Sequence, residues 1–111
     1  MDHSKNIVKA DEVIDVHVKN SLKEDLGKIE DIVLDKASGR IAYVALACGG
    51  FLGMNEKLFA IPWSAIHYDK NEGCFILNIE KEKLKNASGF DKNHWPDMAD
   101  RGWEQGNVSQ Q

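Results

Sequence analysis

From Val13 to Ile79 the chain is broken into short β-favouring runs, VIDVHVK, KIEDIVLD, IAYVALA, KLFAIP and CFILNI, with turn signals between them. Such spacing limits the fold to an antiparallel barrel or sandwich. In VIDVHVK (13–19) Ile14, Val16 and Val18 share one face, and Asp15, His17 and Lys19 the other, the period of a half-buried strand. Gly27 closes the polar stretch that follows as a turn residue. KIEDIVLD (28–35) changes phase at Glu30 and Asp31: Ile29 and Val33 suit one face, Ile32 and Leu34 the other, which suggests a bulge or a strand buried on both sides near its end. KASGR is a turn with Gly39 where a positive φ is most often needed. Ala42, Ala45 and Ala47 would let a second strand or sheet approach closely, as small barrels require. KLFAIP ends at Pro62, WSAI suits a single 3₁₀ turn, and Ile66 to Tyr68 a brief extended piece before the last run.

The remainder reads differently. Residues 1–10 are polar and expected to be mobile, 11–80 form the barrel, and 81–111 form an extension. Within that extension EKEKLKNA suits one or two helical turns with Leu84 as its apolar contact. The polar segment beyond is expected to pack through Phe90, Trp95 and Trp103 and then fray. At 111 residues and 42% hydrophobic, the chain matches one domain with a core that needs neither disulfides nor metal. A net charge of −4, with basic residues scattered among acids, argues against nucleic acid. Cys48 and Cys74 lack zinc-site spacing. MDHSKNIVKADEV shows no signal-peptide pattern, and no segment approaches the ~18 apolar residues that span a bilayer. The expectation is a reduced, cytoplasmic protein with no membrane insertion.

LGKIEDIVLDKASGRIAYVAL, then GGFLG, then KLFAIPWSAI, resembles the PRC-barrel family, which takes its name from the cytoplasmic domain of the photosynthetic reaction-centre H subunit. The resemblance runs from about Asp11 to Ile79, strongest at the Gly27–Ile29–Asp31 strand, the Asp35 to Gly39 turn and the Ile61–Pro62–Trp63 strand end. LKNASGFDKNHWPDM is similar to the C-terminal extension of small bacterial stand-alone members. The resemblance implies an all-β fold, a small SH3-like antiparallel β-barrel with a short helical or irregular tail. It implies no reaction. The reaction-centre subunit has a membrane helix before its barrel and a ribosome maturation factor has an additional barrel; neither is expected here, so neither role is carried over.

Candidate chemistry fails on spacing. Asp31 and Asp35 would share a strand face roughly 13 Å apart, too far to share a proton. His3, His17, His67 and His94 never fall at metal-ligand spacing, although His94 stands near Asp91, Asp97 and Asp100. Cys48 and Cys74 sit at strand ends, where a buried thiol behaves as a small hydrophobe. Ser38, Ser64 and Ser88 lack a nucleophile-elbow context. GGFLG leads into a strand and lacks the Lys-Ser/Thr of a phosphate loop. No catalytic, metal or cofactor residue is assigned.

The glycine-bounded tip remains. Phe51 and Leu52 either fold back to plug one barrel mouth or project, with Met54, as an apolar contact. Phe51 is the better placed plug, Leu52 and Met54 the better placed interface. Trp63 suits the core at a barrel mouth, and Trp95 clamps the tail to its own barrel or to a neighbour. The candidate interface is Phe51, Leu52, Met54 and Trp95. The expectation is a non-catalytic binding or assembly module, self-associating as a dimer or higher, with a protein partner as a further option. The alternatives are an accessory role in electron or proton transfer at a membrane complex, as in the reaction-centre relative, and a small enzyme with an unrecognised site.

Overall fold

The computed structural model describes residues 7–49 and 56–103. In chain order these form a 3₁₀ turn (Ala10–Glu12), strands β1 (His17–Lys19), β2 (Asp25–Asp35), β3 (Arg40–Cys48) and β4 (Lys57–Ile61), a 3₁₀ turn (Trp63–Ala65), β5 (His67–Asp69), β6 (Cys74–Ile76), helix α1 (Lys81–Asn86) and a 3₁₀ turn (Arg101–Trp103). The strands make one six-stranded sheet in the order β4-β3-β2-β1-β6-β5. The protein is mostly β, as expected.

That order forces curvature. In a flat sheet β4 and β5 would lie about 24 Å apart, five strand spacings of ~4.8 Å. Ile61 and His67 are joined by Pro62 to Ile66 alone, which spans about 20 Å when fully extended. Trp63–Ala65 is wound as a 3₁₀ turn, whose rise is only ~2 Å per residue. The sheet therefore curls until its two edges approach. Among the described strands the curl is closed by this covalent link rather than by a β4–β5 ladder. Trp63, half-buried, sits at the closure with its ring 5.9 Å from Phe75.

The interior follows strand alternation. Val44, Leu46 and Cys48 of β3 and Phe59 and Ile61 of β4 point inward, where they meet Val18, Leu26, Ile29 and Leu77. The phase slip at Glu30–Asp31 is a register shift between Ile29 and Asp31; a second shift, between Val33 and Leu34, leaves Leu34 63% exposed.

Local expectations are corrected at three places. VIDVHVK is not one strand. Asp15 takes a left-handed φ of 74°, which short polar side chains tolerate, so Val13 rather than Ile14 is fully buried and β1 begins only at His17. Asp15 still donates to the Ile29 carbonyl and Ile29 to that of Val16, which ties the segment to β2. Gly27 is not a turn residue but lies within β2 at φ 142°, pressed so close to β3 that a Cβ would collide with the Ala47 carbonyl oxygen. Finally, β1 and β6 run parallel, Val18 beside Phe75, the intervening strands supplying the long crossover that parallel pairing needs. β6 stops at Ile76, and Leu77 continues by donating to the Lys19 carbonyl.

Asn20 holds this junction. It is 3% exposed; its Nδ2 donates to Glu24 Oε1 (2.7 Å) and to the Ile79 carbonyl (3.0 Å), while its Oδ1 accepts from the N–H groups of Leu22 and Glu24 (both 3.0 Å). Alanine there would remove the side-chain partner of several backbone groups at once. Asn20→Ala is expected to lower unfolding stability by about 2–3 kcal/mol in urea titrations.

Candidate functional site

After β6 the chain crosses to the far side of the β3–β4 hairpin. Leu84, fully buried, anchors α1 in the core. Lys57 Nζ caps the helix end, donating to the carbonyls of Lys85 (2.6 Å) and Ala87 (2.9 Å), which the last turn leaves without intrahelical donors. Gly89 then turns at φ 71°. Phe90 donates from its backbone to the Leu58 carbonyl (2.7 Å) and Asp100 to that of Ala60 (2.9 Å). The Tyr43 hydroxyl donates to the Pro96 carbonyl (2.7 Å), and Trp103 meets Phe59 edge-on at 5.4 Å. Residues 87–103 thus form a strap along the outer edge of β4.

What the strap covers follows from alternation. Since Phe59 and Ile61 face the core, Leu58 and Ala60 face outward, as do Tyr43, Ala45 and Ala47 on β3. All five are nevertheless at most 6% exposed. The strap shields this apolar outer face, with Phe90 against Tyr43 at 6.3 Å and Trp95 stacked obliquely on Phe90 at 5.0 Å. Between its attachments it arches over a groove of about 380 Å³, lined by Leu58, Ala60, Phe90, Pro96, Met98 and Trp103 among others.

Of the candidate interface residues, Phe51, Leu52 and Met54 lie outside the described residues. Trp95 lies on the strap, 38% exposed, with its Nε1 donating to the Lys92 carbonyl (2.6 Å). The indole is therefore fixed in orientation while part of it meets solvent. Met98, 71% exposed, stands on the same strap and was not singled out from the sequence. A lone methionine in a polar stretch carries no periodic signal; only the arch of the strap places it beside the groove.

The reactive side chains are engaged structurally. Asp31 Oδ1 accepts from the N–H of Ile32 and Asp35 Oδ1 from that of Ala37 (both 2.9 Å). The latter bond, with those from Ser38, holds the Asp35 carboxyl below its usual range. His94 Nδ1 is 3.5 Å from Asp91 Oδ2, while Asp100 Oδ1 accepts from Gly102 instead. Among the described residues no three His, Cys, Asp or Glu side chains gather as a metal site. Burial pushes the Cys48 thiol up to about 12, and that of Cys74 up as well.

The Cys48 shift carries a pH dependence. Unfolding releases a thiol that ionises near 9.0, whereas the folded form holds its proton to about 12. Above the unfolded value the unfolded state binds fewer protons, so stability is intact below it and falls as pH rises toward the folded one. The folding constant of the native protein is expected to drop by up to about tenfold per pH unit across that window, and that of Cys48→Ala more shallowly, by urea titration at stepped pH.

No curated protein matches the chain. Among solved structures, the 16S ribosomal RNA processing protein RimM of Pseudomonas aeruginosa aligns with a TM-score of 0.44 at 14% identity, over 72% of this chain and 48% of that one. The chain thus spans about half the length of that protein. The family described as PRC-barrel domain matches residues 5–84, most of the sequence and every strand of the curled sheet. The chain belongs to the PRC-barrel domain family.

Proposed function

We propose that this PRC-barrel is a non-catalytic binding and assembly module of the cytoplasm, which self-associates through the apolar tip residues Phe51, Leu52 and Met54 together with Trp95. In this reading residues 11–80 carry an SH3-like barrel and 81–111 an extension that packs on it and then frays. The observation that carries the reading is the presentation of Trp95. A partly exposed indole is held by a hydrogen bond and by Phe90 on a strap fixed at both ends, with exposed Met98 three residues on. Aromatic anchors ordered in advance lose little freedom on binding and dominate interface energies. The two unpaired, buried thiols fit a reducing compartment.

The absence of a spanning helix among the described residues bears on helical anchors alone. A protein partner in place of a second copy would use the same apolar residues.

Light scattering on size-separated protein tests the reading, with circular dichroism on every variant. The wild type is expected to be an oligomer, a folded Leu52→Asp a monomer, and Trp95→Ala weakened by about 30-fold in association. A wild type that stays monomeric at every concentration would sink self-association.

A further inference from the structure

β4 has two partners of unequal strength. β3 pairs with it at five positions, from Val44–Ile61 to Cys48–Lys57. The strap contributes the bridge between Leu58 and Phe90 and the bond from Asp100 to the Ala60 carbonyl. An antiparallel neighbour would use both the N–H and the C=O of each outward-facing residue. The strap instead arches away between its two contacts and leaves the groove described above. Its approach also depends on one residue: at Gly89, φ 71°, a Cβ would lie 2.7 Å from the Leu58 carbonyl oxygen and 3.3 Å from Lys57 Cβ.

We propose that the strap is a displaceable guard, and that the surface under it, the outer edge of β4 with the apolar face of Tyr43, Ala45, Leu58 and Ala60, pairs with the same surface of a second copy when the strap lifts. β4 is self-complementary about a two-fold axis at Phe59. Antiparallel pairing there sets Leu58 of each copy opposite Ala60 of the other, and these are the residues whose carbonyls already point outward to the strap. Each such pair exchanges both its backbone bonds, more than the strap supplies. Lys57 then stands opposite Ile61, so no like charges oppose across the pair. The apolar outer faces of the two hairpins become one continuous surface. An edge of this kind invites pairing unless it is covered, and a cover that joins β4 by an isolated bridge rather than a continuous ladder can be exchanged. The inference is separate from association through Leu52 and Trp95, which takes place with the strap closed.

Two substitutions loosen the strap from opposite sides. Gly89→Val brings a side chain against β4 at a left-handed φ, and Tyr43→Phe removes only the bond to the Pro96 carbonyl. The experiment measures amide hydrogen exchange at Phe90, Asp100 and Ala60, with light scattering across concentration, on both variants, each with and without Leu52→Asp. In Gly89→Val the Phe90 and Asp100 amides are expected to exchange at least about tenfold faster. A two-copy species is expected that persists with Leu52→Asp and protects the Ala60 amide; Tyr43→Phe should fall between it and the wild type. A loosened strap without a second copy, or a dimer whose Ala60 amide stays unprotected, overturns the proposal. Unchanged exchange at Phe90 in folded Gly89→Val overturns the role of Gly89. If Gly89→Val does not fold, Tyr43→Phe decides by the same criteria. A wild type that is monomeric and indifferent to Leu52→Asp ends the Leu52 and Trp95 reading without touching this one.

Discussion

Strands β4 and β5 occupy opposite ends of the sheet order, yet Pro62 to Ile66 is all that separates them along the chain. A flat six-stranded sheet cannot satisfy that link, so the sheet bends around its own inner face. The bend is what gives a thin sheet an interior. It brings Trp63 to Phe75, and it encloses Val18, Ile29, Leu46 and Leu77 with negligible exposure. Burial of each such side chain contributes about 1.5–3 kcal/mol, and a flat arrangement would forfeit much of it. The close approach of Gly27 to the Ala47 carbonyl shows the same curvature at the β2–β3 pair.

Curling protects one face and leaves the other to be covered. On the β3–β4 hairpin the outer face is itself apolar, with Tyr43, alanines and Leu58, and the edge of β4 turned away from β3 carries outward carbonyls. The strap answers both needs with a few contacts of different kinds: Lys57 at the helix end, two backbone bonds, a tyrosine hydroxyl and an edge-on aromatic pair. None of these is strong alone. Together they place a short length of irregular chain where a further strand would otherwise fit.

The ionisable side chains serve local structure. Carboxylates at Asp31 and Asp35 serve their own turns, His17 and His94 pair with nearby aspartates, and burial keeps the thiols protonated. Among the large apolar side chains exposed on the described surface, Trp95 and Met98 lie on the strap beside the groove.

Much of this could be read from local patterns. The phase slip at Glu30–Asp31 and the 3₁₀ turn at Trp63 depend on spacing within a few residues, where side-chain alternation and proline geometry act directly, and the family resemblance rests on several motifs in order. Packing of the tail through Phe90, Trp95 and Trp103 could be expected from its isolated aromatics, but its path along β4 and the parallel β1–β6 pair could not, because Phe90 meets Leu58 and Phe75 meets Val18 across long separations that leave no periodic trace. Gly27 reads as a turn by composition, and only the nearness of β3 makes it a strand residue. Sequence alone determined which residues are apolar and most of the stretches that extend. Tertiary structure decided which apolar residues stay exposed, because exposure depends on what the curled sheet and the returning chain place above each one.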